Sequence, residues 1–279
     1  MSEERPRYQE RPSRLPGAVV WTWDAPDRPP REPRSVLPDG CMDLIRTGGR
    51  LVVAGPDTHA FQVAPGDRGS CAAIRFAPGT APVLLGVPAH ELRDHRAELA
   101  DLWPAAAVRR LTERLDEAAD PAAALERFAL DRIAETGPPD PRTVAVAEAL
   151  RRGGSVAATA AETGLGARRL HRLSLAAFGY GPKTLARILR LQRALALIRT
   201  GLPYAEAACA AGCTDQAHLA REMRALAGTT LGAYFSPGDP VGVAGAAGAA
   251  GAAGVAGAAA GEAGANSETP HPSGSSTTA

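Results

Sequence analysis

Two periodicities divide this chain. Between residues 15 and 76 apolar residues come in short runs, AVVWTW at 18–23, CMDLI at 41–45, RLVVAG at 50–55 and CAAIRF at 71–76, separated by Gly, Pro and Asp. Runs of this length with turn residues between them predict short strands in a small sheet or barrel. From residue 89 the spacing turns helical. AAAVRRLTERLDEA at 105–118 sets Val108, Leu111 and Leu115 on one face, and AAALERFALDRIAE at 122–135 does the same with Leu125, Phe128 or Ala129, and Arg132, with Ile133 beside it. TGPPDP at 136–141 stops one helix and lets Pro141 start the next, so it reads as a linker. The predicted organisation is therefore a disordered start at 1–14, an α+β unit at 15–135 built as a small barrel plus helices, the linker, an all-α unit at 142–236, and a disordered Ala/Gly-rich tail at 237–279.

Inside the all-α unit one layout occurs twice. VAATAAETGLGARRLHRLSLAAFG at 156–179 predicts a short helix, a turn at Gly164–Gly166 and a second helix, with Leu170, Leu173 and Ala177 facing Val156, Ala157 and Ala160. PYAEAACAAGCTDQAHLAREMRALAG at 203–228 repeats it, with a turn around Gly212–Thr214, a core face of Leu219, Met223 and Leu226, and Asp215 placed to cap free amides. Both are helix-turn-helix patterns. KTLARILRLQRALALIR at 183–199 lies between them and predicts one helix of about 25 Å, long enough with its neighbours to hold the two second helices about 34 Å, one DNA turn, apart.

Charge strengthens the reading. Residues 142–235 hold 13 Lys and Arg against 5 Asp and Glu, a net of +8, whereas residues 1–141 hold 18 against 22, a net of −4, although the chain as a whole carries only +1. A basic helical half beside an acidic half suggests a nucleic-acid-facing unit joined to one with another task. Arg168, Arg169 and Arg172 on the first unit, and Gln216, His218 and Arg221 on the second, are the candidate base contacts, since Arg pairs with guanine and Gln with adenine in the major groove. Lys183, Arg187, Arg190 and Arg224 are the candidate phosphate contacts. Cys41, Cys71, Cys209 and Cys213 match neither a disulfide framework nor a C-x-x-C metal knuckle, which fits a reducing cytoplasm. The charged, Pro-rich start lacks the apolar stretch of a signal peptide, and VGVAGAAGAAGAAGVAGAAAG at 241–261 is too weakly apolar and too rich in Gly for a membrane helix.

From Val144 to Phe235 the chain resembles the DNA-binding domain of the AraC family of transcription regulators, through the first unit, the FGYGPK junction, the LRLQRALALI strut and the ending AAGCTDQAHLAREMRALAGTTLGAY. The resemblance implies that the helices at Ala167–Ala177 and Asp215–Ala227 enter the major groove, with Arg168, Arg172, Arg221 and Ala217 at base-contacting positions. Ser174, Leu219 and Met223 depart from frequent core Phe positions, and the smaller Ser174 predicts a less stable first unit. VLPDGCMDLI at 36–45, AGPDT at 54–58 and LLGVPAHELRD at 84–94 resemble AraC-type regulators with a cupin-like N-terminal sensor region. In that region Trp21, Trp23, Cys41, Asp43, His59 and Arg75 are the candidate ligand-lining residues, with Pro38–Gly40 as a tight turn.

The resulting expectation is a transcription regulator, more often an activator in the resembled family, that binds double-stranded promoter DNA. RNA polymerase, a small-molecule effector and a second copy of the chain are candidate partners. The alternative is a cupin-type metal enzyme fused to a DNA-binding module, but His59, His90 and His95 lack the H-x-H plus Glu spacing that such a site needs. A repair protein with a reactive Cys is disfavoured because no metal-type cysteine set surrounds Cys41 or Cys71. No enzymatic activity, cofactor or metal site is expected.

Overall fold

A computed structural model of the protein describes residues 7–24, 34–63 and 70–236. Among the described residues the strands are β1 (Arg7–Pro12), β2 (Val19–Asp24), β3 (Arg34–Val36), β4 (Met42–Thr47), β5 (Arg50–Ala54), β6 (Phe61–Val63), β7 (Cys71–Phe76) and β8 (Arg96–Glu98). Six of them form an antiparallel sheet in the order β1-β2-β7-β4-β5-β8, and β3 pairs with β6 separately. The barrel expected from the sequence is realised as these two sheets; among the described residues no pairing joins β1 to β8.

Side chains alternate between the faces of a strand, and here the two faces do different things. Val20, Met42, Leu44, Leu51, Val53, Ala72, Ile74 and Phe76 point to one side, where helices α1 (Ala81–Leu85), α2 (Leu99–Leu102), α3 (Ala105–Asp116) and α4 (Pro121–Thr136) cover them with Leu84, Leu99, Leu111, Leu115, Leu125 and Ala129. Each leucine buried this way stabilises the fold by roughly 2 kcal/mol. The other face carries Trp21, Trp23 and Ala73, joined by Tyr8, Ile45 and Cys71.

The amino-terminal segment corrects the sequence reading. Residues 1–14 were expected to lie outside the fold, yet β1 pairs with β2 from Arg7↔Asp24 to Pro12↔Val19. RYQERP has no alternating apolar pattern, so nothing local announces a strand. It is held by the ladder and by Glu126 on α4, which accepts from Arg11 Nη2 at 3.0 Å, Ser13 Oγ at 2.8 Å and the Arg14 N–H at 2.6 Å. The expected disorder of residues 1–6 and of the 237–279 tail falls outside the described residues.

Among the described residues seven helices follow: α5 (Pro141–Arg151), α6 (Val156–Glu162), α7 (Ala167–Phe178), α8 (Pro182–Arg199), α9 (Tyr204–Ala211), α10 (Gln216–Ala227) and α11 (Leu231–Tyr234). Their starts are written in capping residues. Asp140, Ser155, Asp215 and Thr230 accept side-chain hydrogen bonds from backbone N–H groups in the first turns of α5, α6, α10 and α11. Their apolar faces meet in a second core centred on Leu185, Ile188, Leu191, Leu195, Leu219 and Met223 of α8 and α10.

The two cores are joined along a seam that also involves the segments around residues 37–40 and 54–60. Leu37 belongs to the second core, not the first. Gln192 Nε2 donates to Pro38 O at 2.6 Å in a buried bond, and the Ala60 N–H donates to Leu226 O at 2.8 Å. Gly179, at φ 84°, lies so close to the first half that a Cβ there would stand 2.4 Å from Pro56 Cγ; Gly40, at φ 86°, would bring one to 3.1 Å from Leu185 Cδ1.

Burial pushes the Glu126 carboxyl up, but the bonds from Arg11, Arg14 and Ser13 outweigh it and hold its pKa near 2, down from 4.5. Because the folded-state pKa is lowered, this contribution is present above pH 4.5 and is lost as pH falls toward 2. Glu126→Gln should therefore cost about 2 kcal/mol near neutral pH and much less at pH 2, read from urea unfolding midpoints at the two pH values. An equal loss at both would mean that the carboxylate charge does not hold β1.

Candidate nucleic-acid interface

Each helix-turn-helix unit buries one stripe of its second helix and exposes the opposite one. On α7 the buried residues are Leu170, Ser174 and Phe178, spaced by four, while Arg168, Arg169 and Arg172 are exposed. The expected stripe of Leu170, Leu173 and Ala177 is thus rotated slightly; Leu173 and Ala177 are only half-buried. Ser174 hid the true stripe, because a polar residue at its centre broke the apolar pattern. Its Oγ is fully buried with no hydrogen-bond partner, which costs about 1–3 kcal/mol and deepens the weakness expected of this unit.

On α10 the stripe is the expected one. Leu219, Met223 and Leu226 are buried, and Gln216, Ala217, Arg221 and Arg224 are exposed on the other side. Lys183 is exposed in the first turn of α8. Arg168, Arg169, Arg172, Lys183, Arg221 and Arg224 enter no ion pair among the described residues, so the unneutralised charge of the helical half concentrates on the outer faces of α7 and α10 and the start of α8. Planar guanidinium groups on an exposed helix face suit guanine edges in the major groove.

Three of the sequence candidates are held differently. Glu222, buried on the inner side of α10, accepts from Arg187 Nε at 3.0 Å and lies 3.5 Å from Arg190 Nη2. These two arginines, expected as phosphate contacts, cross-link α8 to α10 through Glu222. A buried carboxylate must be paired, and α8 is the element that passes it. His218 is also turned inward. Its Nδ1 accepts from the Thr214 N–H at 3.3 Å, which leaves Nε2, 3.4 Å from Glu222 Oε1, as the donor. Its own N–H is capped by Asp215 Oδ1 at 2.6 Å, so His218 closes the start of α10. Glu222 was overlooked because a carboxylate on a helix otherwise basic looked like surface; its spacing of four from His218 was the available signal.

In the first half, Trp21, Trp23, Asp43 and Arg75 share the sheet face away from the helices, since register places Trp21 and Ile45 opposite Ala73, and Val19 and Asp43 opposite Arg75. Cys41 adjoins them at the start of β4. Arg75 Nε lies 3.1 Å from Asp43 Oδ1 and 3.4 Å from Asp39 Oδ2, and these carboxylates hold its pKa above the ordinary value against the effect of burial. Burial raises the pKa of the Cys41 thiol, and Asp39 adds to the rise. Asp39 also accepts from the Cys41 N–H at 2.8 Å, fixing the Pro38–Gly40 turn. Trp21 Nε1 is buried with no hydrogen-bond partner among the described residues, and its ring lies 5.9 Å from that of Tyr8. His59 is not part of this group: it is exposed, its Nδ1 2.8 Å from Thr58 Oγ1, beside the seam.

Residues 159–236 match a family described as a helix-turn-helix domain, and residues 18–98 match a domain of unknown function (DUF6597). No curated protein matches the chain. Among solved structures it is similar to ToxT from Vibrio cholerae, at 10% identity over 81% of this chain and 97% of that one with a TM-score of 0.43. Two further matches are ToxT bound to (E)-4-(8-methylnaphthalen-1-yl)but-3-enoic acid, at 11% identity, 81% and 97% coverage and TM-score 0.42, and unsaturated fatty acid bound ToxT, at 9%, 84% and 96%, and 0.39.

Replacing Arg172 or Arg221 with Ala should cost about 1–3 kcal/mol of specific binding and relax base preference at the positions read, measured by competition between duplexes differing at single base pairs. Arg187→Ala should act on the fold instead. It leaves Glu222 with fewer partners, so the melting temperature should drop while the slope of log K against log salt stays near the wild-type value; a slope smaller by about one unit would return Arg187 to the phosphate contacts.

Proposed function

We propose that the helix-turn-helix domain matched at residues 159–236 is an AraC-type DNA-binding unit, and that the protein is a sequence-specific transcription regulator in which α7 and α10 read two adjacent major-groove segments of promoter DNA in the cytoplasm, under the influence of the N-terminal domain. The observation that carries this reading is the pair of exposed arginine faces, Arg168, Arg169 and Arg172 on α7 and Arg221 and Arg224 on α10, presented from helices that pack on one buried strut. Two reading helices on a shared rigid element impose a spacing as well as a sequence.

The N-terminal domain has the position of a sensor or dimerisation module. One sheet face packs on its own helices, and the other carries an aromatic cluster of Tyr8, Trp21 and Trp23, both tryptophans buried, with an indole donor that has no acceptor among the described residues. An uncharged, flat molecule with a hydrogen-bond acceptor suits that surface, because Arg75 is already matched by Asp39 and Asp43. That domain meets α8 through Pro38, the α7–α8 junction at Gly179 through Pro56, and α10 through Ala60. Binding on the sheet would be felt by the reader through those contacts. A ligand shifts DNA binding only by its differential affinity for the two states of that seam. Among the described residues no helix is long and apolar enough to cross a membrane.

Selection of genomic fragments by the purified full-length protein at physiological salt, followed by sequencing, tests the reading. Enrichment of a motif with two half-sites about one helical turn apart is expected. Retention of fragments without sequence preference would defeat it.

A further inference from the structure

Arg193 lies on α8 between the two helix-turn-helix units, one residue after the glutamine that holds the seam. Its guanidinium makes two hydrogen bonds with different clients. Nη1 donates to the carbonyl of Arg151, the last residue of α5, and Nη2 donates to the carbonyl of Ala211, the last residue of α9, at 2.5 Å. α5 packs with α6 and α7 in the first unit, and α9 with α10 in the second.

Two physical facts make this bridge consequential. The last carbonyls of a helix have no partner within it and carry the negative end of its dipole, so a cation placed there satisfies both needs. A guanidinium is also planar and rigid, so donors that serve two carbonyls at once fix the separation and the mutual rotation of the groups that bear them. Arg187 and Arg190 tie only α10 to the strut, through Glu222. Arg193 ties α5, which precedes the first unit and packs on both of its helices, and α9, the first helix of the second unit, to the same point.

We propose that Arg193 is a positioning residue for DNA recognition: by joining the ends of α5 and α9 it sets the spacing and phase of α7 and α10, and so determines how strictly the protein discriminates the separation of its two half-sites. The inference rests on the two-groove reading above. Arg193 itself touches no base.

The test uses full-length protein, a duplex carrying the motif from the genomic selection, the same duplex with one, two or three base pairs inserted between half-sites, and a duplex with one half-site. Wild type should lose affinity steeply on insertion. Arg193→Met keeps an apolar stem and removes both bonds. It should bind the native duplex about tenfold more weakly, the size of one lost base contact, with a clearly smaller insertion penalty and unchanged single-half-site affinity. Arg193→Lys, whose ammonium is a point charge without the fork, should fall between the two and serves where the Met variant does not fold. An insertion penalty equal to wild type in the folded variants would overturn the role of Arg193, as would an equal loss on the single half-site. A wild-type protein that ignores insertions would instead overturn the two-groove reading, and this inference with it.

Discussion

A helix that is apolar around most of its circumference can be stable only in the interior, and the burial of α8 is the constraint on which the rest of this molecule depends. Leu185, Ile188, Leu189, Leu191, Ala194 and Leu195 are all buried, so α8 must be surrounded, and its neighbours come from both halves of the chain. The polar side chains along it are then compelled to find partners inside the protein. Gln192 finds the Pro38 carbonyl, Arg187 and Arg190 find Glu222, and Arg193 finds the carbonyls of Arg151 and Ala211. A basic helix that reads as a strut in sequence is also a hub whose polar side chains organise the elements around it. The charge left for DNA lies where the hub does not reach, on the outer faces of α7 and α10.

Much of this was legible in the sequence, and the boundary of legibility has a physical shape. The four strands with their own apolar runs were foreseen, and α3 through α10 begin and end close to where capping residues and glycines place them. What escaped notice is held by non-local partners. β1 has no pattern of its own and depends on β2 and Glu126; β3, β6 and β8 are three residues long, too short for alternation to register. Within the site, the exposed arginines of α7 and α10 followed directly from helical spacing. The engagement of Arg187, Arg190 and His218 by Glu222 did not, because sequence spacing tells which residues share a helix face but not which other helix that face meets.

The N-terminal motifs illustrate the same limit from the other side. VLPDG and AGPDT read as turn punctuation or as part of a ligand site. Gly40 does hold a left-handed φ of 86°, but both motifs are shaped for contact. Gly40 clears Leu185, Pro56 lies against Gly179, and the Pro38 carbonyl takes the Gln192 amide. A buried amide that lost this acceptor would pay its desolvation without return, so the seam opposes separation of the two domains through polar as well as apolar contacts. Asp39 serves both sides at once, fixing the turn through the Cys41 N–H and neutralising Arg75 at the edge of the aromatic sheet face.

That double service links the aromatic sheet face to the helical half over a short path. Trp21 and Trp23 share their sheet face with Asp43 and Arg75; Arg75 is paired with Asp39; Asp39 lies between Pro38 and Gly40; and both of these press on α8. Packed interiors transmit a displacement instead of absorbing it, because their voids are too small to take it up. A ligand that shifts the Arg75 pairing would therefore move the turn that holds Gln192. The residue after Gln192 is Arg193, which joins α5 to α9. On the proposed reading, a change at the sheet face would reach α7 and α10 through one turn and one helix, and its most direct effect would be on their mutual geometry.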